Sequence, residues 1–387
     1  MAAAEQAAGS PAAAPAASPP QQSPPPALLL ELPPPPLPPG RVLRRAFARA
    51  VGSGNGDPNS SPRFPRVYVL MHGAGRSSDS NTSSDPEAHA LTPRLLDELR
   101  ILFAAATAAG GGAALDVVPL LPFAGWGSAE SVAELPDARA VLSLRRGGGD
   151  TSAADSLNAA RQEQGLSALE ALEWGNGDDE QTTTPAPPPT TTTTTPPLSF
   201  PDVAVGGTFD RLHAGHRLLL AATALAAQRH VFAGVTSDAL LANKARRELL
   251  QAYEERAAAA ERYCLRVRPG LSVRTGALRD PKEPTQAELD PEMQALVVSR
   301  ETVRGGEAIN EGRRARGFAP LELVVVGLVG GGGEGGGGGG GEAGGGGGGD
   351  DENDTVDVAG KISSTALRER EAEAAEAAAE AARRRQD

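Results

Sequence analysis

The stretch that decides how this chain is read is "VAVGGTFDRLHAGHRLLLAATALAA", Val203 to Ala227. It opens as a short apolar run of the kind found in strands buried on both faces. It closes as an alanine- and leucine-rich stretch with helical spacing. Between the two stand Gly206 and Gly207, then His213 and His216 with Gly215 between them. In an open parallel sheet, ligands bind at the carboxyl ends of the strands, where such a strand-to-helix turn lies. The glycines let the backbone turn tightly and approach a ligand. His213 and His216 fall on one face of the first helical turn, and imidazoles beside helix N-terminal N–H groups favour an anion, phosphate above all. Capping of the helix by two structural histidines stays open on the pair alone. A zinc site is disfavoured, because the chain has only five histidines and no Cys or carboxylate at ligand spacing nearby; no metal ligand set is expected.

Downstream, the pattern alternates. "VFAGVT", "LSVRTGAL", "QALVVS" and "LELVVVGLV" read as strands. "HRLLLAATALAAQRH" reads as a helix, and "SDALLANKARRELLQAYEERAAAAERYCLRV" as another, broken near Asn243. "ETVRGGEAINEGRRARG" reads as helix or turn. Strands and helices alternating at this spacing predict βαβ units and a parallel sheet. A glycine-rich insert at 330–354 interrupts the domain at modest entropic cost. Then "KISSTALREREAEAAEAAAEAARRRQD" resumes as a strong helix former, with Ser363 or Ser364 as its N-cap, and is expected to dock back on the sheet. The domain is assigned to 201–372 and a helical tail to 373–387.

Upstream, glycine (47) and proline (33) make up about a fifth of the 387 residues, so the foldable part is shorter than the chain. Residues 1–40 read as a disordered Ala/Pro-rich leader. Residues 148–200, with "TTTPAPPPTTTTTTPP", read as a linker. Between them, "RVYVLMHG", "TPRLLDELRILFAAATAAG", "ALDVVPLLPF" and "ARAVLSLRR" mark residues 41–147 as a candidate small α/β region of unknown role. The His72–Ser78 loop "HGAGRSS" lacks the Lys-Ser/Thr ending of a phosphate loop and reads as a polar loop. A net charge of −12 argues against nucleic-acid binding. One cysteine, Cys264, suits a reducing compartment, no apolar run approaches a membrane span, and the N-terminus lacks a targeting pattern. A soluble cytoplasmic protein with no membrane partner is expected.

"GTFDRLHAGH" (Gly207–His216) resembles the HxGH motif of the nucleotidylyltransferase superfamily, and "KISST" (Lys361–Thr365) resembles its second motif. With "DPKEPT", "VVSRETVRGGEAINEGRRARG" and "KISSTALR", the chain resembles the eukaryotic and archaeal type of phosphopantetheine adenylyltransferase over about residues 200–330 and 355–370. The glycine insert is the departure. The resemblance implies a Rossmann-like parallel-sheet nucleotidylyltransferase domain. It also implies transfer of AMP from ATP to 4′-phosphopantetheine, giving dephospho-coenzyme A and pyrophosphate, with Mg2+ carried on the ATP phosphates. It places His213, His216 and Lys244 in the catalytic set, and Thr208, Lys244 and Asp280 on the acceptor. ATP would meet Gly207, Thr208, Phe209, His213, His216, Arg256, Ser363, Ser364 and Thr365. Nicotinamide mononucleotide adenylyltransferase, a cytidylyltransferase and a non-catalytic regulatory member of the fold remain alternatives. No P-loop lysine motif occurs, and too few residues follow Thr365 for a kinase domain, so a separate dephospho-coenzyme A kinase is expected downstream.

Overall fold

The computed structural model describes residues 24–33, 36–52, 62–71, 90–111, 115–144, 152–174, 196–327, 329 and 364–384. Two five-stranded, all-parallel sheets follow one another along the chain. The first unit contains β1 (Ala27–Glu31), α1 (Gly40–Val51), β2 (Arg66–Leu70), α2 (Pro93–Ala106), β3 (Asp116–Leu120), α3 (Ala129–Ala133), β4 (Ala138–Ser143), α4 (Ser152–Glu163) and β5 (Glu170–Leu172). The second contains β6 (Phe200–Gly207), α5 (Ala214–Ala226), β7 (Ala227–Thr236), α6 (Tyr253–Val267), β8 (Ser272–Leu278), α7 (Gln286–Leu289), β9 (Ala295–Ser299), α8 (Val303–Ala315) and β10 (Glu322–Val326). Helix α9 (Ser364–Arg384) follows. The strand orders are β3-β2-β1-β4-β5 and β10-β9-β6-β7-β8, so each sheet starts from its middle strand.

The α/β parallel architecture matches the expectation, but four boundaries move. Ala27–Glu31, read as leader, is the central strand of the first sheet, buried along its whole length. Its "ALLLE" is a both-faces-buried strand run; the prolines after it hid it. The first unit also runs past residue 147, because α4 and β5 lie in the stretch read as linker. The helix expected from Ser237 begins only at Tyr253. Residues 238–246 form turns, Arg246 takes a left-handed φ of 53°, and a single 3-10 turn spans Arg247–Leu249. Similarly, "AQRH" (Ala227–His230) opens β7 rather than ending α5, pairing with β6 at Phe200↔Ala227 and, after a register shift, from Asp202↔His230 onward. The 1–23 leader, the His72–Ser78 loop and the glycine insert lie outside the described residues.

The two units repeat one architecture down to individual bonds. In α4, Asn158 clasps the backbone of Leu169, its Nδ2 donating to O at 3.3 Å and its Oδ1 accepting from N at 2.7 Å. In α8, Asn310 clasps Leu321 in the same way, at 3.0 and 2.7 Å. Three residues on, Arg161 donates to the carbonyls of Ser167, Ala133, Leu135 and Ala138. Arg313 donates to those of Ala319, Ala287, Asp290 and Met293. Four residues beyond each arginine, Gly165 and Gly317 take positive φ values of 70° and 78° and let the chain turn out of the helix. The stretches "LNAARQEQGLSALE" and "INEGRRARGFAPLE" carry these residues at equal spacing.

Helix α5 is buried almost all round, as its alanine- and leucine-rich composition demands. One side packs on the second sheet and the other on β3 and α2 of the first unit. With α6, it is shared between the units.

Both clasp arginines are fully buried, and removing either strands several backbone carbonyls. Arg313→Met and Arg161→Met are each expected to cost at least about 3 kcal/mol, seen as a lowered urea midpoint. A neutral Arg161→Met beside a costly Arg313→Met would show that the two clasps are not equivalent.

Candidate active site

The site forms at the carboxyl end of β6, the central strand of the second sheet, next to the point where strand order reverses between β6 and β9. In the sheet, Gly206 lies beside Gly234, and Gly234 beside Gly276, so the floor of this end is cut low. The chain then makes a strained loop: Phe209 and Arg211 adopt φ values of 52° and 44° without being glycine. Such backbone costs about 1–3 kcal/mol per residue and persists only where the surroundings hold it.

Asp210 between them supplies the hold. It is fully buried. Its Oδ2 accepts from Arg368 Nη1 at 2.6 Å, and its Oδ1 from the Gln251 amide at 3.1 Å and Arg211 Nη1 at 3.2 Å. Its backbone carbonyl accepts from Ser364 Oγ at 2.9 Å. Gln251 answers by accepting the Arg211 amide on its Oε1 at 2.7 Å. Arg368 is itself buried, with Nε on Ala245 O and Nη2 on Thr365 Oγ1. Farther along α9, Glu371 accepts from Arg211 at 2.5 and 3.0 Å. The two sequence motifs, about 150 residues apart, are thus joined by a buried ion pair.

His213 is the N-cap of α5. Its Nδ1 accepts from the amides of Gly215 and His216 at 3.2 and 3.4 Å. An Nδ1 that accepts leaves the ring proton on Nε2, the atom that can then donate to an oxyanion. The two imidazoles stack, with centroids 3.9 Å apart and planes at 22°. Phe209 meets His216 edge-on at 5.4 Å. A Cβ on Gly215 would lie 3.1 Å from His213 Cε1, so glycine there makes room for the ring. Burial, then His213 and Arg217, hold the His216 imidazole well below its ordinary value of 6.5, with the Asp210 backbone opposing them. His216 is therefore neutral at neutral pH. It offers a dipole rather than a charge.

The remaining sequence-selected residues divide. Gly207, Thr208 and Phe209 lie in the loop beside the histidines. Thr365 and Ser364 are brought to the same loop by α9, whereas Ser363 lies outside the described residues. Lys244 is exposed on the turns after β7, the strand next to β6. Asp280 follows β8, one strand farther out, and accepts the Lys282 amide at 2.8 Å. Arg256, expected on the nucleotide, is instead fully buried. It donates to the carbonyls of Gln251, Thr208 and Thr236 at 3.0, 2.7 and 2.8 Å and to Asp238 Oδ1 at 2.5 Å. Its guanidinium ties the β6 and β7 loop ends together. Neither Asp210 nor Gln251 is among the site residues selected from the sequence. Among the described residues, no group of three or more His, Cys, Asp or Glu converges on a point, and no helix is long and apolar enough to cross a membrane.

The Cytidylyltransferase-like family matches residues 204–370. The phosphopantetheine adenylyltransferase of Saccharomyces cerevisiae is 40% identical over 131 residues, covering 34% of this chain and 42% of that protein. The chain thus spans about two fifths of the length of that relative. The phosphopantetheine adenylyltransferase of Methanopyrus kandleri is 42% identical over 130 residues, covering 34% of this chain and 80% of that protein. That of Thermococcus gammatolerans is 37% identical over 127 residues, covering 33% and 77%.

Two outcomes follow from the geometry. Arg368→Met removes one partner of a buried pair and is expected to cost about 3–5 kcal/mol, with α9 becoming sensitive to limited proteolysis before the rest of the second unit. Below pH 6.5 the unfolded chain binds a proton at His216 that the native chain refuses, so stability falls as pH drops through that value and the penalty is absent above it. The fall in urea midpoint between pH 7.5 and 5 is expected to be smaller in His216→Gln than in the wild type.

Proposed function

The chain belongs to the phosphopantetheine adenylyltransferase family, and from that membership we propose that it transfers AMP from ATP to 4′-phosphopantetheine, releasing pyrophosphate and dephospho-coenzyme A. The observation that carries this reading is the stacked His213–His216 pair at the N-terminus of α5, at the reversal point of a parallel sheet.

The attacking group is a phosphate oxygen of the acceptor, already ionised, so no protein nucleophile is required. The bond that forms joins that oxygen to the α-phosphorus of ATP, and the bond that breaks releases pyrophosphate on the opposite side. The barrier is one of charge and alignment, since two polyanions must meet in line. Catalysis is then positioning plus electrostatic stabilisation. In this role His213, with its proton on Nε2, donates to the α-phosphate oxygens, and His216 adds a neutral dipole from behind it. Thr208 orients the acceptor phosphate, and the backbone of Gly207 and Phe209 meets the nucleotide. Lys244 supplies positive charge from the β7 side. The N-terminus of α9, with Ser363, Ser364 and Thr365, receives the β- and γ-phosphates. Magnesium arrives with ATP, on its phosphate oxygens, as part of the substrate. Arg256 acts by fixing the Thr208 carbonyl rather than by touching substrate. Asp280 shapes the loop on the acceptor side. The product carries one phosphate fewer than coenzyme A and passes to a separate kinase.

Pyrophosphate release with ATP, magnesium and each of 4′-phosphopantetheine and nicotinamide mononucleotide, and with CTP and choline phosphate, tests this directly. Turnover with 4′-phosphopantetheine alone is expected. Preference for another acceptor would move the protein to a sibling activity, and ATP binding without any turnover would make it a regulatory member of the fold. His213→Ala is expected to lower kcat by about 100- to 1000-fold with little change in KM; a rise in KM with kcat preserved would remove the imidazole from the transition state.

A further inference from the structure

Residues 24–174 take no part in the proposed chemistry, yet they are fastened to the helix that carries it. Arg217 follows His216 directly and is buried. It reaches away from the site, into the first unit. Its Nε donates to Asp116 Oδ1 at 3.1 Å and its Nη1 to the Leu115 carbonyl at 2.9 Å. Asp116 opens β3. Its Oδ2 also accepts from Arg66 Nε at 2.8 Å and Arg266 Nη1 at 2.9 Å. Burial alone would raise this carboxyl, but Arg217, Arg266 and Arg66 hold it below the usual carboxylate range. Two further bonds seat α6 on the same unit: Tyr263 donates to the Val117 carbonyl at 2.7 Å, and Trp126 Nε1 donates to the Val267 carbonyl at 3.1 Å.

We propose that the N-terminal unit is a positioning module for the catalytic helix, and that Asp116 is its positioning residue, acting on His216 through the two-point grip on Arg217. The proposal rests on the adenylyl-transfer reading of the site. The unit keeps the architecture of its neighbour, clasp included, but where the second sheet runs "GGTFDRLHAGH" the first runs "LELPPPPLPPG", with no histidine. It retains a rigid scaffold without the phosphate residues. Helix α5 is gripped at its first turn by the His213 cap and the stacked rings, and one residue later by Asp116. Gripping both fixes its rotation about its own axis. Side chains reach about 5–6 Å from a helix axis, so a rotation of roughly 10° moves an imidazole by about 1 Å. A displacement of that size costs up to about a hundredfold in rate.

The test compares substitutions at one carboxylate seen from two sides. In Asp116→Asn, kcat is expected to fall by about 10- to 100-fold with KM for ATP and 4′-phosphopantetheine held within about threefold, and Asp116→Glu is expected to recover part of the loss. Arg66→Gln removes a partner of the same carboxylate on the side away from α5; it is expected to lower Tm and leave kcat unchanged. An unaltered kcat in folded Asp116→Asn, or an equal fall in Arg66→Gln, overturns the proposal. Should Asp116→Asn fail to fold, Arg217→Lys keeps the charge and loses the two-point grip, and the same fall in kcat is expected; wild-type kcat in that variant overturns the proposal. If the wild type turns over no acceptor, the adenylyl-transfer reading fails by itself. The His216 ring resonances then decide the positioning role without turnover: they must shift in Asp116→Asn or Arg217→Lys and hold in Arg66→Gln, and unshifted resonances overturn it.

Discussion

The site depends on a carboxylate that cannot reach water. Asp210 lies under a loop whose two flanking residues both hold left-handed backbone, and a desolvated carboxylate left unmet would cost more than that strain. The groups that meet it come from three parts of the chain: Arg368 from the last helix, the Gln251 amide from the approach to α6, and Arg211 from the loop itself. The second motif is in place because Asp210 needs a cation, and the cation needs Ala245 O and Thr365 to complete its hydrogen bonding. Geometry at the histidines is thus a consequence of an electrostatic demand a few ångströms behind them.

Burial settles what His216 can be. Desolvated, with His213 stacked on it and Arg217 next to it, its imidazole does not take a second ring proton at neutral pH. In the reaction proposed above, the site therefore does not offer two imidazolium charges to the phosphates. The helix-capping alternative is correct for His213, whose Nδ1 accepts from the first turn of α5; the phosphate role proposed for it falls to the other ring nitrogen, Nε2. Positive charge must come from elsewhere, from the exposed Lys244 and the N-terminal ends of α5 and α9.

Much of this was legible in the sequence. The alternation of strand and helix from Asp202 onward and the glycine turn follow from local pattern, because period and turn chemistry are local properties; the pairing of the two motifs follows from the family resemblance. What was not legible is long-range. Arg256 and Arg368 look alike in sequence, as arginines on alanine-rich helices; only the fold turns one toward three carbonyls and the other toward Asp210. Asp116 carries no motif at all. The central strand Ala27–Glu31 was hidden by prolines that follow it, and the repeated Asn/Arg clasp by four matching side chains among many that differ. A repeat conserved in bonds rather than in composition leaves little for periodicity to find.

The repeat also shows where this architecture stores stability and where it places chemistry. Both clasps lie at helix-to-strand connections: α4 to β5 through Gly165, and α8 to β10 through Gly317. The histidine loop lies at the opposite end, at the strand-to-helix connection from β6 to α5. One end can therefore keep its bonds while the other is rewritten, since no clasp residue touches the histidine loop. The two units differ at that end. Proline replaces the loop's glycine, aspartate and histidine chemistry, while Asn158, Arg161 and Gly165 persist. A fold divided in this way can be rigid without carrying chemistry, and the use proposed for the first unit is to hold still, through Arg217 on Asp116 and Leu115, the helix on which His216 stands.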